Sequence, residues 1–299
     1  MKGLVRDAVR LMRIKQWIKN FFVFAPLVFS LNLFDAACAA RSCLVFAAFC
    51  LVSSGVYVFN DIADRERDRL HPDKKHRPVA SGRVQVKAAL PLGIFLAAAG
   101  TALAGFLSPV VLIILCGYLA VNILYSLLLR RQTFIDVMVI AIGFLLRVGA
   151  GAAAIGVQLS QWMLLTTFFL SLFLGFGKRR EEALVVERAE EHRGVFRDYS
   201  VELLNYLIAI SAALTIITYS LYVITSETMH ELGSNLFFIT IPFVVFGVFR
   251  YMLLIFQNNL GGDPADLVLK DRPMIVAVTL WALSVLTLLG ITLLSGGQR

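Results

Sequence analysis

Asn60, Asp61, Asp64 and Asp68 lie where a long apolar run, ending Val56-Tyr-Val-Phe59, gives way to charge. At 100° per residue they stand at about 0°, 100°, 40° and 80° on a helical wheel. One helix end therefore carries three carboxylates and an amide. Like charges this close repel, and partial burial deepens the repulsion. Such a face calls for a cation. Every donor is a hard oxygen, which suits Mg2+, an ion that takes one or two carboxylates and completes its shell with water and substrate phosphates. Asn60, Asp61 and Asp64 are the expected metal ligands, with Asp68 acting directly or through water. Lys74, Lys75 and Arg77 follow almost at once, bracketed by Pro72 and Pro78. Metal on one side and Lys or Arg on the other is an arrangement for a diphosphate. The plainer alternative is a solvated acidic helix end paired with Arg65, Arg67 and Arg69. It suits a soluble helix better than the end of an apolar span.

The elements that must carry these residues are membrane helices. The chain of 299 residues is 59% hydrophobic and 16% charged, against about 45–50% and 25% in soluble domains. Nine segments approach the length of about 20 apolar residues that a spanning helix needs: 20–36, 41–59, 88–107, 109–129, 133–156, 161–177, 203–225, 235–256 and 273–295. Residues 1–19 are basic and amphipathic and read as a cytoplasmic surface helix, with no cleavable signal. The whole chain, 1–299, reads as one all-α integral membrane domain, its bundle spanning 20–295. With the N-terminus inside, all 28 Lys and Arg residues except Arg41, Arg147, Arg250 and Arg299 fall on the inner side. That asymmetry predicts an N-in, C-out orientation and puts the charged loops, hence the chemistry, on the cytoplasmic face. It also turns the net charge of +8 into a topology signal rather than a mark of nucleic-acid binding. Cys38, Cys43, Cys50 and Cys116 have no metal-ligand spacing and read as small buried apolar groups. His71, His76, His192 and His230 form no ligand pair.

Asn60-Asp-x-x-Asp64-x-x-x-Asp68, at the end of the second of nine spans, resembles the first aspartate-rich motif of the UbiA superfamily of intramembrane prenyltransferases. Arg13-Ile-Lys15-Gln-Trp17-Ile-Lys19-Asn20, Tyr125 with Arg130-Arg131, and Asp136 with Arg147 extend the likeness over nearly the whole chain. It implies nine helices around a central cavity, open to lipid at the side, in a bacterial inner membrane. One departure is informative. Where typical members carry a second acidic motif after the sixth helix, this chain reads Lys178-Arg179-Arg180-Glu181-Glu182. Extra cations suit a ligand with extra phosphate. That feature is similar to the branch that joins phosphoribosyl pyrophosphate to a polyprenyl phosphate such as decaprenyl phosphate, for arabinose donors of the cell envelope. The resemblance implies Mg2+ as cofactor and these two substrates as partners; a homo-oligomer is left open.

On that reading Lys178 and Arg179 take the sugar's 5-phosphate, and Lys15, Lys19, Arg77 and Arg131 are further phosphate contacts. Tyr125 bonds a phosphate or the ribose. Asp136 and Arg147 stand about 20° apart on one helical face. Ionisable residues inside a span are functional candidates, so Asp136 is expected at the substrate, and Arg147 either there or on backbone carbonyls or a carboxylate. Asp263, Asp266 and Asp271 cap either the site or the last helix. Prenyl transfer to an aromatic acceptor is the alternative within the family, and the Lys178–Arg180 run argues against it. A transporter would be expected to repeat its halves, and no second Asn-Asp-x-x-Asp run exists. A scaffold leaves the carboxylate face unexplained.

Overall fold

The computed structural model describes residues 2–30, 32–70, 74–188, 199–225, 235–258, 267 and 270–296, apart from the side chains of 2–5, 131, 185–188, 235, 258 and 293–296. Among them the chain is entirely helical. The α-helices are α1 (Lys2–Met12), α2 (Ala25–Phe29), α3 (Ala36–Ala63), α4 (Arg65–Leu70), α5 (Val86–Leu107), α6 (Pro109–Leu127), α7 (Ile135–Ile155), α8 (Gln161–Arg188), α9 (Val201–Thr225), α10 (Ile241–Asn258) and α11 (Arg272–Gly296). Seven described helical segments are long and apolar enough to cross a membrane: Ala36–Ala63, Val86–Leu107, Pro109–Leu127, Ile135–Ile155, Val201–Thr225, Leu236–Gln257 and Arg272–Thr292.

The expected spans at 20–36 and 161–177 are not among the seven. The first is broken. A 3₁₀ helix runs Ile14–Phe24, α2 takes over at Ala25, and a 3₁₀ turn follows at Asn32–Phe34. Pro26 sits in the first turn of α2, where its missing N–H costs no helical bond. The 161–177 segment is helical, but its apolar stretch ends at Lys178 while the helix continues to Arg188. The surface helix expected over 1–19 stops at Met12. Arg13 turns into the left-handed region (φ 49°), and the 3₁₀ helix begins behind it.

Local chemistry sets the other boundaries. Asp35 caps α3 by accepting the Cys38 N–H at 2.9 Å, an N-terminal device of short polar residues. Pro109 opens α6, with the Ser108 hydroxyl accepting the Val110 N–H at 3.2 Å.

Contacts divide the chain into two compact units. The first holds Met1–Val28, Asn32–Leu127 and Leu146–Val157; the second holds Phe29–Leu31, Leu128–Leu145 and Gln158–Arg299. In the first, α3 and α5 approach closely because glycines line their seam. A methyl group at Gly100 would stand 2.6 Å from Val52 Cγ2 and 2.7 Å from the Ala48 carbonyl oxygen. Val23, Val45, Phe49, Leu115 and Tyr118 fill that unit's core. In the second unit Phe173, Phe176, Leu204, Ile208, Tyr251 and Ile255 form the core between α8, α9 and α10.

Candidate active site

The first unit presents the acidic cluster. At Asp64 the backbone leaves α-helical geometry (φ −87°, ψ 3°) and α3 ends. The hydrogen-bond ladder nevertheless continues, Asp64 N–H to Asn60 O at 2.9 Å and Asp68 N–H to Asp64 O at 2.8 Å. The four residues therefore keep the stacking that their spacing predicts despite the kink. Asp61 and Asp68 are only 2% and 3% exposed. Arg77 bridges them, with Nη1 3.2 Å from Asp61 Oδ1 and 2.7 Å from Asp68 Oδ2. Arg13 also pairs with Asp61, its guanidinium 4.9 Å from the Tyr57 ring centre. Asp64 lies 3.6 Å from Arg67, and Asn60 Oδ1 accepts the Ser126 hydroxyl at 2.7 Å. Outside the membrane span, Arg65 hydrogen-bonds Glu66 and holds its carboxyl below the ordinary range.

Arg77 was expected at a phosphate, and its position between two buried carboxylates gives it a second task. It offsets charge that could not stay buried alone. Arg13 figured in the sequence only as part of the motif before the first span, and Ser126 not at all. Arg13 lies among other basic residues, and the left-handed turn that aims it has no local signature.

The second unit holds another buried carboxylate. Asp136, 2% exposed, receives Arg179 Nε at 2.6 Å and the Tyr199 hydroxyl at 3.0 Å. Arg179 also pairs with Glu182. The expected cationic run is thus divided by function. Arg179 is matched by two carboxylates. Arg180 is buried, donating to Asn205 Oδ1 at 2.7 Å and to the Ile255 carbonyl at 2.9 Å. Of the three, Lys178 is the exposed one. A helix turns 100° per residue, so three consecutive cations cannot share a face. Burial, then the nearby Glu182, pushes the Glu181 carboxyl up.

Arg147 stands elsewhere. It belongs to the part of α7 in the first unit, whereas Asp136 belongs to the part in the second. It is 5% exposed, donating to Asn20 Oδ1 at 2.7 Å and Tyr118 Oη at 3.0 Å. These two partners are an amide and a phenol. Asn20 in turn donates to Cys50 Sγ at 3.2 Å and Ser53 Oγ at 3.4 Å, and Trp17 Nε1 donates to Ser54 Oγ at 3.0 Å. These bonds fasten the 3₁₀ segment to α3. Lys15 is exposed and Lys19 half-buried on that segment, and Tyr125 is half-buried near the end of α6. Asp271 caps α11 through the Met274 N–H at 2.9 Å and pairs with Arg250 at 2.8 Å, the structural role of the two weighed for it. Asp263, Asp266 and the side chain of Arg131 lie outside the described residues.

Among the described residues no three His, Cys, Asp or Glu side chains gather as a metal-holding group. The acidic helix end does supply oxygen donors only, two of them on buried carboxylates. That fits an ion needing one or two carboxylates and taking its other ligands from phosphate and water.

The model of the UbiA prenyltransferase family matches residues 39–270. The decaprenyl-phosphate phosphoribosyltransferase of Mycolicibacterium smegmatis is 32% identical over 292 residues, covering 94% of this chain and 91% of the relative. That of Corynebacterium glutamicum is 31% identical over 287 residues, covering 94% and 86%. The solved structure of a UbiA homolog from Archaeoglobus fulgidus bound to GPP and Mg2+ matches with a TM-score of 0.72 at 17% identity, covering 95% of this chain and 99% of that one. An all-helical, multi-pass membrane chain with this acidic helix end, matched by the family model over most of its length, belongs to the UbiA prenyltransferase family.

Proposed function

We propose that the protein transfers the 5-phosphoribosyl group of phosphoribosyl pyrophosphate to a polyprenyl phosphate, releasing diphosphate. The observation that carries this reading is the near-full-length similarity to decaprenyl-phosphate phosphoribosyltransferases; an oxygen-rich, arginine-flanked site fits any diphosphate chemistry. The chain forms one domain of nine crossings, with the segments expected at 20–36 and 161–177 supplying the two beyond the seven described. Its N-terminus and its site face the cytoplasm of a bacterial cell, where the soluble donor is found.

Asn60, Asp61 and Asp64 hold the metal, with Asp68 beside them. Mg2+, when bound, neutralises diphosphate oxygens and makes diphosphate a better leaving group. Arg13 and Arg77 bring positive charge to the same helix end and hold the departing anion, and Lys15 and Lys19 extend that charge along the 3₁₀ segment. Lys178 and Arg179 take the 5-phosphate, while Tyr125 and Arg131 are the remaining polar contacts. Asp136 orients Arg179, and Arg147 fixes the segment that carries Lys15 and Lys19. The bond from C1 to diphosphate breaks as a lipid phosphate oxygen bonds to C1 from the opposite face, inverting that carbon. No residue need act as base, because the acceptor phosphate is already anionic near neutrality (second pKa about 6). Positioning and charge do the catalytic work.

A second reading, transfer of a prenyl group from its diphosphate to an aromatic acceptor, gains support from the pairing of Arg179 with Asp136 and Glu182, which leaves less net positive charge than the sequence suggests. Purified protein offered labelled phosphoribosyl pyrophosphate with polyprenyl phosphate, and separately a prenyl diphosphate with 4-hydroxybenzoate, separates the two. Label entering the lipid phase in the first mixture, and its loss in Asp61→Ala and Asp64→Ala, is the expected result. Transfer in the second mixture alone overturns the proposal.

A further inference from the structure

Beside Asp136 and Arg179 lies a residue to which no role is yet assigned. Tyr199 is buried and stands two residues before α9. Its hydroxyl accepts the backbone N–H of Phe134 at 2.7 Å and lies 3.0 Å from Asp136 Oδ1. The N–H can only donate, so the phenol uses a lone pair for Phe134 and directs its single proton to the carboxylate. Asp136 accordingly accepts on both oxygens, from Tyr199 on Oδ1 and from Arg179 Nε on Oδ2 at 2.6 Å. The direction of every hydrogen bond from Phe134 to Arg179 is fixed.

Two further observations separate this chain from ordinary core packing. Phe134 adopts φ 68°, a left-handed conformation that a bulky residue adopts only when its surroundings impose it. The bond to Tyr199 and an edge-on contact between the two rings, with centres 5.5 Å apart, hold it there. Burial pushes the Tyr199 phenol up, so it stays a proton donor across the working pH range. The phenol thus meets Asp136 as a donor, and the carboxylate accepts from Tyr199 and Arg179 on separate oxygens.

We propose that Tyr199 is a positioning residue for the sugar donor: through Asp136 it fixes the guanidinium of Arg179 at the donor's 5-phosphate. This rests on the function proposed above. Without the hydroxyl, Asp136 keeps Arg179 but loses the bond that sets the plane of its carboxylate. The donor should feel that loss and the lipid should not.

The test is Tyr199→Phe, which keeps the ring and its contact with Phe134, alongside Arg179→Gln and the double variant. Equilibrium dialysis of labelled phosphoribosyl pyrophosphate reads binding without turnover, and steady-state kinetics read the KM of each substrate. Detergent melting and gel filtration verify that each variant is folded, and Tyr199→Leu, which also lacks the hydroxyl, replaces Tyr199→Phe if that variant is not. Tyr199→Phe should weaken donor binding about tenfold, the scale of one hydrogen bond to a charged group, with kcat and the lipid KM within about twofold of wild type. In the Arg179→Gln background it should cause no further loss. Equal losses for both substrates, or losses that multiply in the double variant, would make Tyr199 a packing residue and overturn the assignment. Wild-type protein that retains no phosphoribosyl pyrophosphate would overturn the function itself, and the Tyr199 role with it. Wild-type retention matched by Tyr199→Phe would overturn the Tyr199 role alone.

Discussion

Arg77 shows how a residue can have two partners in conflict. Its guanidinium bridges Asp61 and Asp68 in a setting nearly closed to solvent, and a substrate diphosphate would compete for the same charge. Removing the cation leaves two buried carboxylates underpaired, a loss of about 3–5 kcal/mol when fully buried and less here, because Arg77 itself is partly exposed. Arg77→Met should therefore lower stability by roughly 2 kcal/mol and abolish turnover. Adding Asp68→Asn should restore part of the stability and none of the activity. Thermal unfolding in detergent, followed beside label transfer, checks both. The acidic face was legible because Asn60, Asp64 and Asp68 repeat at four-residue intervals, which a helix converts into one stack. The partners of those carboxylates were not. Arg13 reaches Asp61 across 48 positions of sequence, and Tyr199 reaches Asp136 across 63. Local periodicity says nothing about such distances.

Element boundaries follow short-range chemistry, and their failures have physical causes. The spans at 88–107 and 109–129 were readable from the Ser108-Pro109 turn, and α5 ends at Leu107 and α6 begins at Pro109. The broken first segment was not, because apolar composition looks alike in α and 3₁₀ geometry. Packing between α3 and α5 depends on glycine at Gly100, so Gly100→Val should cost several kcal/mol, with backbone and not only side-chain atoms in the way. Loss of folded protein on gel filtration would report it. At the start of α11 the ion pair with Arg250 holds the Asp271 carboxyl below its ordinary 3.8. A carboxyl lowered in the fold stabilises it above the unfolded value, and the contribution fades as pH falls through the folded one. Asp271→Asn should therefore lower the melting temperature at pH 7, and the gap from wild type should close below about pH 4. A gap independent of pH would assign the effect to the helix cap instead.

At the scale of the whole molecule, composition and charge asymmetry established a multi-pass membrane protein, and the described helices and the family agree. The acidic helix end offers oxygen donors only, so the Mg2+ expected there completes its shell with substrate phosphates and water. Chelation should abolish turnover and added Mg2+ should restore it, while the melting temperature without substrate changes little; a large loss of stability on chelation would indicate a structural ion instead. The 3₁₀ segment Ile14–Phe24 adds a constraint on how such chains can vary in length. A 3₁₀ helix repeats every three residues, so Trp17, Asn20 and Val23 form a single row. In that row Trp17 and Asn20 bond to α3, and a methyl group at Gly151 would collide with the Val23 carbonyl oxygen. Deleting one residue there would rotate everything beyond it by about 120° and scramble the row. Deleting three would restore the facing and only shorten the reach, so gaps in this stretch among related chains should come in threes.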